Sequence, residues 1–244
     1  MNLMAALLVA ALTPAPAPAA PEYVALGDSY AAGVGADRAS CGRDRNAYPE
    51  LYAATHRLEL EFAACSGATT GDVARQAERI TGETSLVTVT VGGNDAGFSD
   101  VLTTCVLRSE EKCLRRVDTA EEFIEDELPR RLDALYRSVR ERTSARVVVL
   151  GYPHLFDTDG RCGMSKARRE ALNGASDRIS EVLRDRAEAA GFAYADVRDE
   201  FEGHGVCSDD PWIHDLTFPV GDSFHPNAAG HRHGYLKALT RATA

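Results

Sequence analysis

Five short apolar runs, Tyr23 to Leu26, Leu58 to Ala64, Leu86 to Val91, Arg146 to Leu150 and Phe192 to Val197, alternate along this chain with stretches of helical periodicity. The clearest, LVTVTV at 86 to 91, is β-branched, uncharged and short enough to be a buried strand. Strands that alternate with helices pair in parallel and need helices on both faces of the sheet. The order therefore predicts an α/β fold, one doubly wound domain around a five-stranded parallel sheet.

Between the strands, Tyr48 to His56 reads as a short helix with Pro49 in its first turn, where the missing N–H costs little. Thr70 to Ile80 reads as a second, with Val73, Ala77 and Ile80 on one face. From Phe98 to Val117 the chain is of mixed polarity and reads as a cysteine-closed excursion. Asp118 to Arg142 reads as a long amphipathic helix, with Asp118 as cap, Glu121 three residues on, and Phe123, Leu128, Leu132, Leu135 and Val139 as its stripe. Pro129 bends or splits it. A further helix runs from about Ser165 to Ala190 and a last one from Pro226 to about Arg241, with Phe201 to Asp222 irregular between them. His231 and His233, two apart on that last helix, face different directions and read as solvated surface rather than a metal pair.

Residues 3 to 12, LMAALLVAAL, are apolar but too few to span a bilayer, and Ala17-Pro18-Ala19 follows as an A-x-A junction. We read residues 1–19 as a signal peptide cleaved after Ala19, although no Lys or Arg precedes the apolar run, and residues 20–244 as one domain. No later stretch is a membrane span, so the expected product is a secreted, monomeric protein with no integral membrane association. Lys and Arg total 27 against 37 Asp and Glu, a net charge of −10, which argues against a nucleic-acid partner. The six cysteines, Cys41, Cys65, Cys105, Cys113, Cys162 and Cys207, show no CxxC spacing, so disulfides are expected rather than a metal site. Six cysteines allow 15 connectivities; the sequential one closes three loops that do not cross.

In a doubly wound sheet, ligands bind beyond the carboxyl ends of the strands. Ser29 follows the first strand in GDSY, Gly67 follows the second in CSGATT, Asn94 follows the third in GGND, and His225 stands in the last loop in DSFHPN. A serine nucleophile needs a base for its proton and donors for the oxyanion. His225 supplies the first; the Ser29 and Gly67 N–H groups and the Asn94 amide supply the second. Alone, Ser29 would be an ordinary helix cap and Asn94 an Asx turn. Asp28 and Asp95 read as turn and scaffold residues, and Tyr30, Phe98, Leu155, Phe156 and Trp212 as candidates for an acyl pocket.

These four blocks, in this order, resemble those of the SGNH (GDSL-type) hydrolases over nearly the whole chain after residue 19. The cysteine layout and GYPHLF at 151 to 156 resemble the secreted actinobacterial lipase and esterase branch. The resemblance implies a flavodoxin-like three-layer sandwich and cofactor-free hydrolysis of small-molecule or lipid esters of short to medium acyl chains. Ser29 would be the nucleophile, His225 the base, and Ser29, Gly67 and Asn94 the oxyanion hole. It also implies the sequential disulfides. Asp222, three residues before His225, stands where most of the superfamily places the carboxylate that orients the imidazole; a main-chain carbonyl at Asp222 or Ser223 is the alternative. Other readings on the same fold are a carbohydrate-ester deacetylase, a phospholipase or a thioesterase. From a different class comes a non-catalytic secreted binding protein.

Overall fold

Strand β1 (Glu22–Gly27) lies between β2 (Glu59–Phe62) and β3 (Thr84–Thr90), and β4 (Arg146–Leu150) and β5 (Ala193–Ala195) extend the sheet beyond β3. All four pairings are parallel and the order is β2-β1-β3-β4-β5, the flavodoxin-like arrangement. The structure is a computed structural model and describes residues 22–35 and 40–244. The expected signal peptide and its Ala19 junction lie outside the described residues.

Strands β1, β3 and β4 carry the core because helices cover them from both sides. Val24, Leu26, Val87, Val89, Val148 and Val149 are buried. Edge strand β2 is only partly buried, which explains its alternating ELEF sequence. Helix α1 (Ser29–Ala32) is a single turn, and α2 (Tyr48–His56) begins with Pro49 in its first turn as expected. In α3 (Thr70–Gln76), Thr69 and Asp72 form a capping box; the expected continuation to Ile80 tightens into a 3₁₀ turn at Ala77–Arg79.

The stretch expected as an excursion is helical. Helix α4 (Phe98–Leu107) and the start of α5 (Glu110–Asp126) occupy it, stapled by Cys105–Cys113 with both cysteines fully buried. Asp118 is therefore mid-helix and no cap; Ser109 stands before α5 instead. The chain breaks at Glu127, and α6 (Leu128–Arg140) carries Pro129 in its first turn, so the proline splits the helix. Leu128, Leu132, Leu135 and Val139 are buried, but Ile124 takes the inward place expected of Phe123. Helix α7 (Lys166–Ala189) is capped by the Ser165 side chain, which accepts from the Arg168 N–H.

The last helix departs most. A π-helical turn at Gly230–Tyr235 precedes α8 (Leu236–Thr243). It turns His231 inward, against the expectation of a solvated surface. His231 is fully buried, its ring near those of Tyr48 and Tyr235, and burial lowers its pKa to about 3, so it is neutral. His233 stays exposed.

The disulfides are Cys41–Cys65, Cys105–Cys113 and Cys162–Cys207, the sequential pairing. Among the described residues no helix is long and apolar enough to cross a membrane.

Candidate active site

The end of β1 sets the position of Ser29. Gly27 has φ +142, and a Cβ there would sit 2.5 Å from the Thr90 carbonyl oxygen, so only glycine lets β1 and β3 approach at this point. The side chain of Gln76 clamps Gly27 from the other direction, donating to its carbonyl at 2.9 Å and accepting from its N–H at 2.7 Å. Asp28 caps α1 by accepting from the Tyr30 N–H at 2.9 Å. The cap is thus Asp28, and Ser29 is the first helical residue. Its N–H has no intrahelical acceptor and points out of the helix start.

The other donors expected from the sequence follow β2 and β3. Gly67 has φ +81 in a tight turn, with open space where a Cβ would stand. The turn is held by the Ala68 N–H on the Cys65 carbonyl, the Ser66 N–H on the Cys41 carbonyl, and the adjoining Cys41–Cys65 disulfide. Asn94 donates one amide hydrogen to the Ala68 carbonyl at 3.0 Å, which ties its turn to that of Gly67 and leaves the second hydrogen available. Asp95, read as scaffold, accepts from the Thr70 N–H and hydroxyl at 2.9 and 2.7 Å.

The loop before the last helix carries His225 to this edge. Its Nε2 lies 2.8 Å from Ser29 Oγ, across 196 residues of sequence. Its Nδ1 lies 3.0 Å from the Ser223 carbonyl oxygen. A carbonyl can only accept, so Nδ1 carries the proton and Nε2 presents a lone pair to the serine hydroxyl. Of the orienting groups expected, the structure therefore brings the main-chain carbonyl of Ser223 to the imidazole and not the Asp222 carboxylate. Asp222 contributes its carbonyl, which accepts from the His225 N–H at 3.3 Å, and its charge, which raises the imidazole pKa. Burial outweighs that and lowers the pKa to about 4, so the resting ring is neutral. Both Ser29 and His225 are buried.

Tyr30 locks the loop. Its hydroxyl donates to the Phe224 carbonyl at 2.6 Å, and Phe224 itself adopts φ +60, rare for an aromatic residue. Behind it, the His214 N–H donates to the His225 carbonyl and the Phe224 N–H to the His214 carbonyl, while His214 Nε2 reaches the Gly35 carbonyl at 2.9 Å.

Beside the pair opens a narrow apolar pocket of about 70 Å³, with Tyr30, Phe98, Leu102, Ile124, Tyr152 and Leu155 in its wall. The rings of Tyr30 and Phe98 lie 5.2 and 6.0 Å from that of His225. Of the expected lining, Phe156 and Trp212 lie elsewhere: Phe156 packs on Phe224, and Trp212 stacks on His204. Tyr152 is the residue whose role the sequence did not disclose. Its hydroxyl donates to Asp28 at 2.5 Å and accepts from the Gly93 N–H at 3.2 Å, bridging the Ser29 turn to the Asn94 turn. Burial pushes the Asp28 carboxyl up to about 7 even so. The available signal was position: Tyr152 follows β4 at the same sheet edge. The Ser223 carbonyl had none, since every residue carries one.

Residues 25–233 match the model of the GDSL-like Lipase/Acylhydrolase family. The chain is similar to Lipase 1 of Streptomyces coelicolor, 46% identical over 249 residues that cover 98% of this chain and 93% of the relative. Among solved structures, it is similar to the extracellular lipase of Streptomyces rimosus, at 46% identity and TM-score 0.89 over 91% of this chain and 100% of that one. It is also similar to phospholipase A1 of Streptomyces albidoflavus, at 48% identity and TM-score 0.89 over 92% of this chain and 100% of that one. With a serine and an imidazole in contact at the rim of the sheet and a match along most of its length, this chain belongs to the GDSL-like lipase/acylhydrolase family.

Proposed function

We propose that the protein is a secreted lipase or carboxylesterase that cleaves short to medium acyl esters through an acyl-enzyme on Ser29. The contact between His225 Nε2 and Ser29 Oγ carries this reading. As Oγ attacks the ester carbonyl, its proton passes to Nε2, and the carbonyl oxygen becomes an oxyanion met by the Ser29 and Gly67 N–H groups and the free Asn94 hydrogen. The imidazolium then protonates the departing alcohol, leaving the acyl group on Oγ. Water, deprotonated by the same ring, attacks the acyl carbonyl; collapse of the second tetrahedral species releases the acid and returns the proton to Oγ. No step needs a cofactor or metal. The Ser223 carbonyl holds the ring throughout, and Asp222 steadies its positive form through charge alone.

The acyl chain lies in the narrow pocket beside Tyr30 and Phe98, whose apolar walls suit a hydrocarbon. The likeness to a phospholipase A1 favours phospholipid among the lipid esters. We place a signal peptide at residues 1–19 and one hydrolase domain at 20–244, acting as a monomer, with the three disulfides suiting an oxidising compartment.

A panel of p-nitrophenyl esters of rising acyl length, phosphatidylcholine, acetylated xylan and a thioester, run on the wild type with Ser29→Ala as the blank, tests this. The reading requires Ser29-dependent release, strongest on the carboxylic esters of short and medium chains. Equal background in both proteins would leave a binding protein on a hydrolase scaffold.

A further inference from the structure

Among the described residues, the large apolar side chains most open to solvent are Leu107, Leu216, Phe218 and Val220, at 70%, 56%, 91% and 67% exposure. Three of the four fall within five positions of one loop, and that loop belongs to the catalytic base. Its two ends are pinned together at Ser223: the Thr217 N–H donates to Ser223 Oγ at 3.0 Å, and that hydroxyl lies 3.3 Å from the Thr217 carbonyl. The Ser223 carbonyl is the group that orients His225. The apolar tip is thus tied through Thr217 and Ser223 to the segment that orients His225. Leu216 also lines a groove with Cys105, Val106, Phe156 and Phe224, which leads from the loop to the end of α4, where Leu107 follows.

Scattered apolar residues on a surface need no explanation, but a loop that presents Phe, Leu and Val together beside an active-site mouth does. Its charge surroundings narrow the partner. From Val206 to Asn227 there is no Lys or Arg, while Asp209, Asp210, Asp215 and Asp222 flank the tip. The nearby cation, Arg168, is committed to the Cys105 and Arg108 carbonyls. On the loop itself an anionic lipid surface would meet four carboxylates and no Lys or Arg; one with outward ammonium groups would not be repelled.

We propose that Leu216, Phe218 and Val220 form an adsorption tip that inserts into a zwitterionic phospholipid surface and seats the mouth of the Ser29 pocket against it. This rests on the reading of the site as a lipid-ester hydrolase. The tip supplies the apolar burial that an interfacial anchor needs, and it needs no basic patch for a neutral-sum headgroup.

The test uses sedimentation with sucrose-loaded phosphatidylcholine vesicles, with Ser29→Ala present so that no lipid is consumed. That protein is expected to co-sediment, and adding Leu216→Ser, Phe218→Ser and Val220→Ser together should cut the partition to about a tenth or less. On a wild-type background the triple variant should hydrolyse a soluble short-chain ester within about twofold of the parent, since surface changes away from the site cost little. Phe218→Trp, which keeps an apolar ring, should bind as well as the parent. Replacing part of the lipid by phosphatidylglycerol should weaken binding.

Absent binding by the Ser29→Ala protein, unchanged binding by the triple variant, or tighter binding to the anionic vesicles would each overturn the proposal. So would a dimer in sedimentation equilibrium that the triple variant dissolves, because the tip would then cover a second copy of the chain. If the Ser29 protein fails on every soluble ester while the Ser29→Ala protein still binds vesicles, the hydrolase reading falls and the surface stands.

Discussion

The two halves of the site are built differently. Ser29, Gly67 and Asn94 sit on turns that leave adjacent strands of the sheet, each fixed by main-chain bonds, glycine conformations or close packing. His225 arrives on a loop with no strand or long helix beneath it, held by short pairings with Ile213 and His214 and by the hydroxyl of Tyr30. The side proposed to carry the nucleophile therefore shares its supports with the fold, so damage there should cost stability as well as rate. The base side rests on a few separable contacts, so rate can be lost there while the fold survives.

The largest expected effect erases the contrast. Ser29→Ala or His225→Ala should each lower kcat on a soluble ester by on the order of 10⁶, because either alone disables the pair; a thermal melt should show both folded. Asn94→Ala should cost about 10² to 10³ in kcat, the usual loss for one oxyanion donor. It should also lower Tm, since it cuts the bond to the Ala68 carbonyl. A variant that lost rate with no change in Tm would place Asn94 outside the shared support.

Acid tests the base side most directly. The ring acts as base when neutral and is lowered to about 4, so kcat/KM should stay level from neutral pH to about pH 5 and fall about tenfold per unit below 4. Stability follows another course. In the unfolded chain the imidazoles of His225 and His231 protonate near 6.5, and in the fold only near 4 and 3. At these two groups the unfolded state gains protons first; Asp28, raised to about 7 in the fold, works the other way, but one carboxyl is outweighed by two imidazoles, so stability should decline as pH falls from about 6.5 towards 3, visible as a falling Tm. Tyr30→Phe, which frees the Phe224 carbonyl, should lower kcat about tenfold while costing only about 1 kcal/mol by urea titration, the worth of one hydrogen bond.

Asp222→Asn should change kcat least, by about threefold or less, with the orienting bond to the Ser223 carbonyl intact. A loss near 10⁴ would instead assign the orienting role to the carboxylate.

This contrast also explains what could be read in the linear chain. The strands were legible because buried parallel strands are short apolar runs ended by glycine, and Ser29, Gly67 and Asn94 stand where those runs stop. Helix α4 is hard to read in the linear chain because its apolar residues do not keep to one face: Val101, Leu102 and Cys105 are buried while Leu107 is exposed, and the charged Glu110, Glu111 and Lys112 follow directly in α5. His231 turns inward on a π-helical register, which the spacing of a regular α-helix does not show. His225 was legible by its block; its orienting partner was not, because a backbone oxygen leaves no mark on side-chain identity.

That the imidazole leans on the peptide chain itself has a further outcome. No amino-acid exchange at 223 can delete the oxygen it uses, whereas removing or adding a single link between 217 and 225 would shift it out of reach. This part of the proposed catalyst is passed on as the length of a segment, and an inventory of invariant letters across relatives would overlook it.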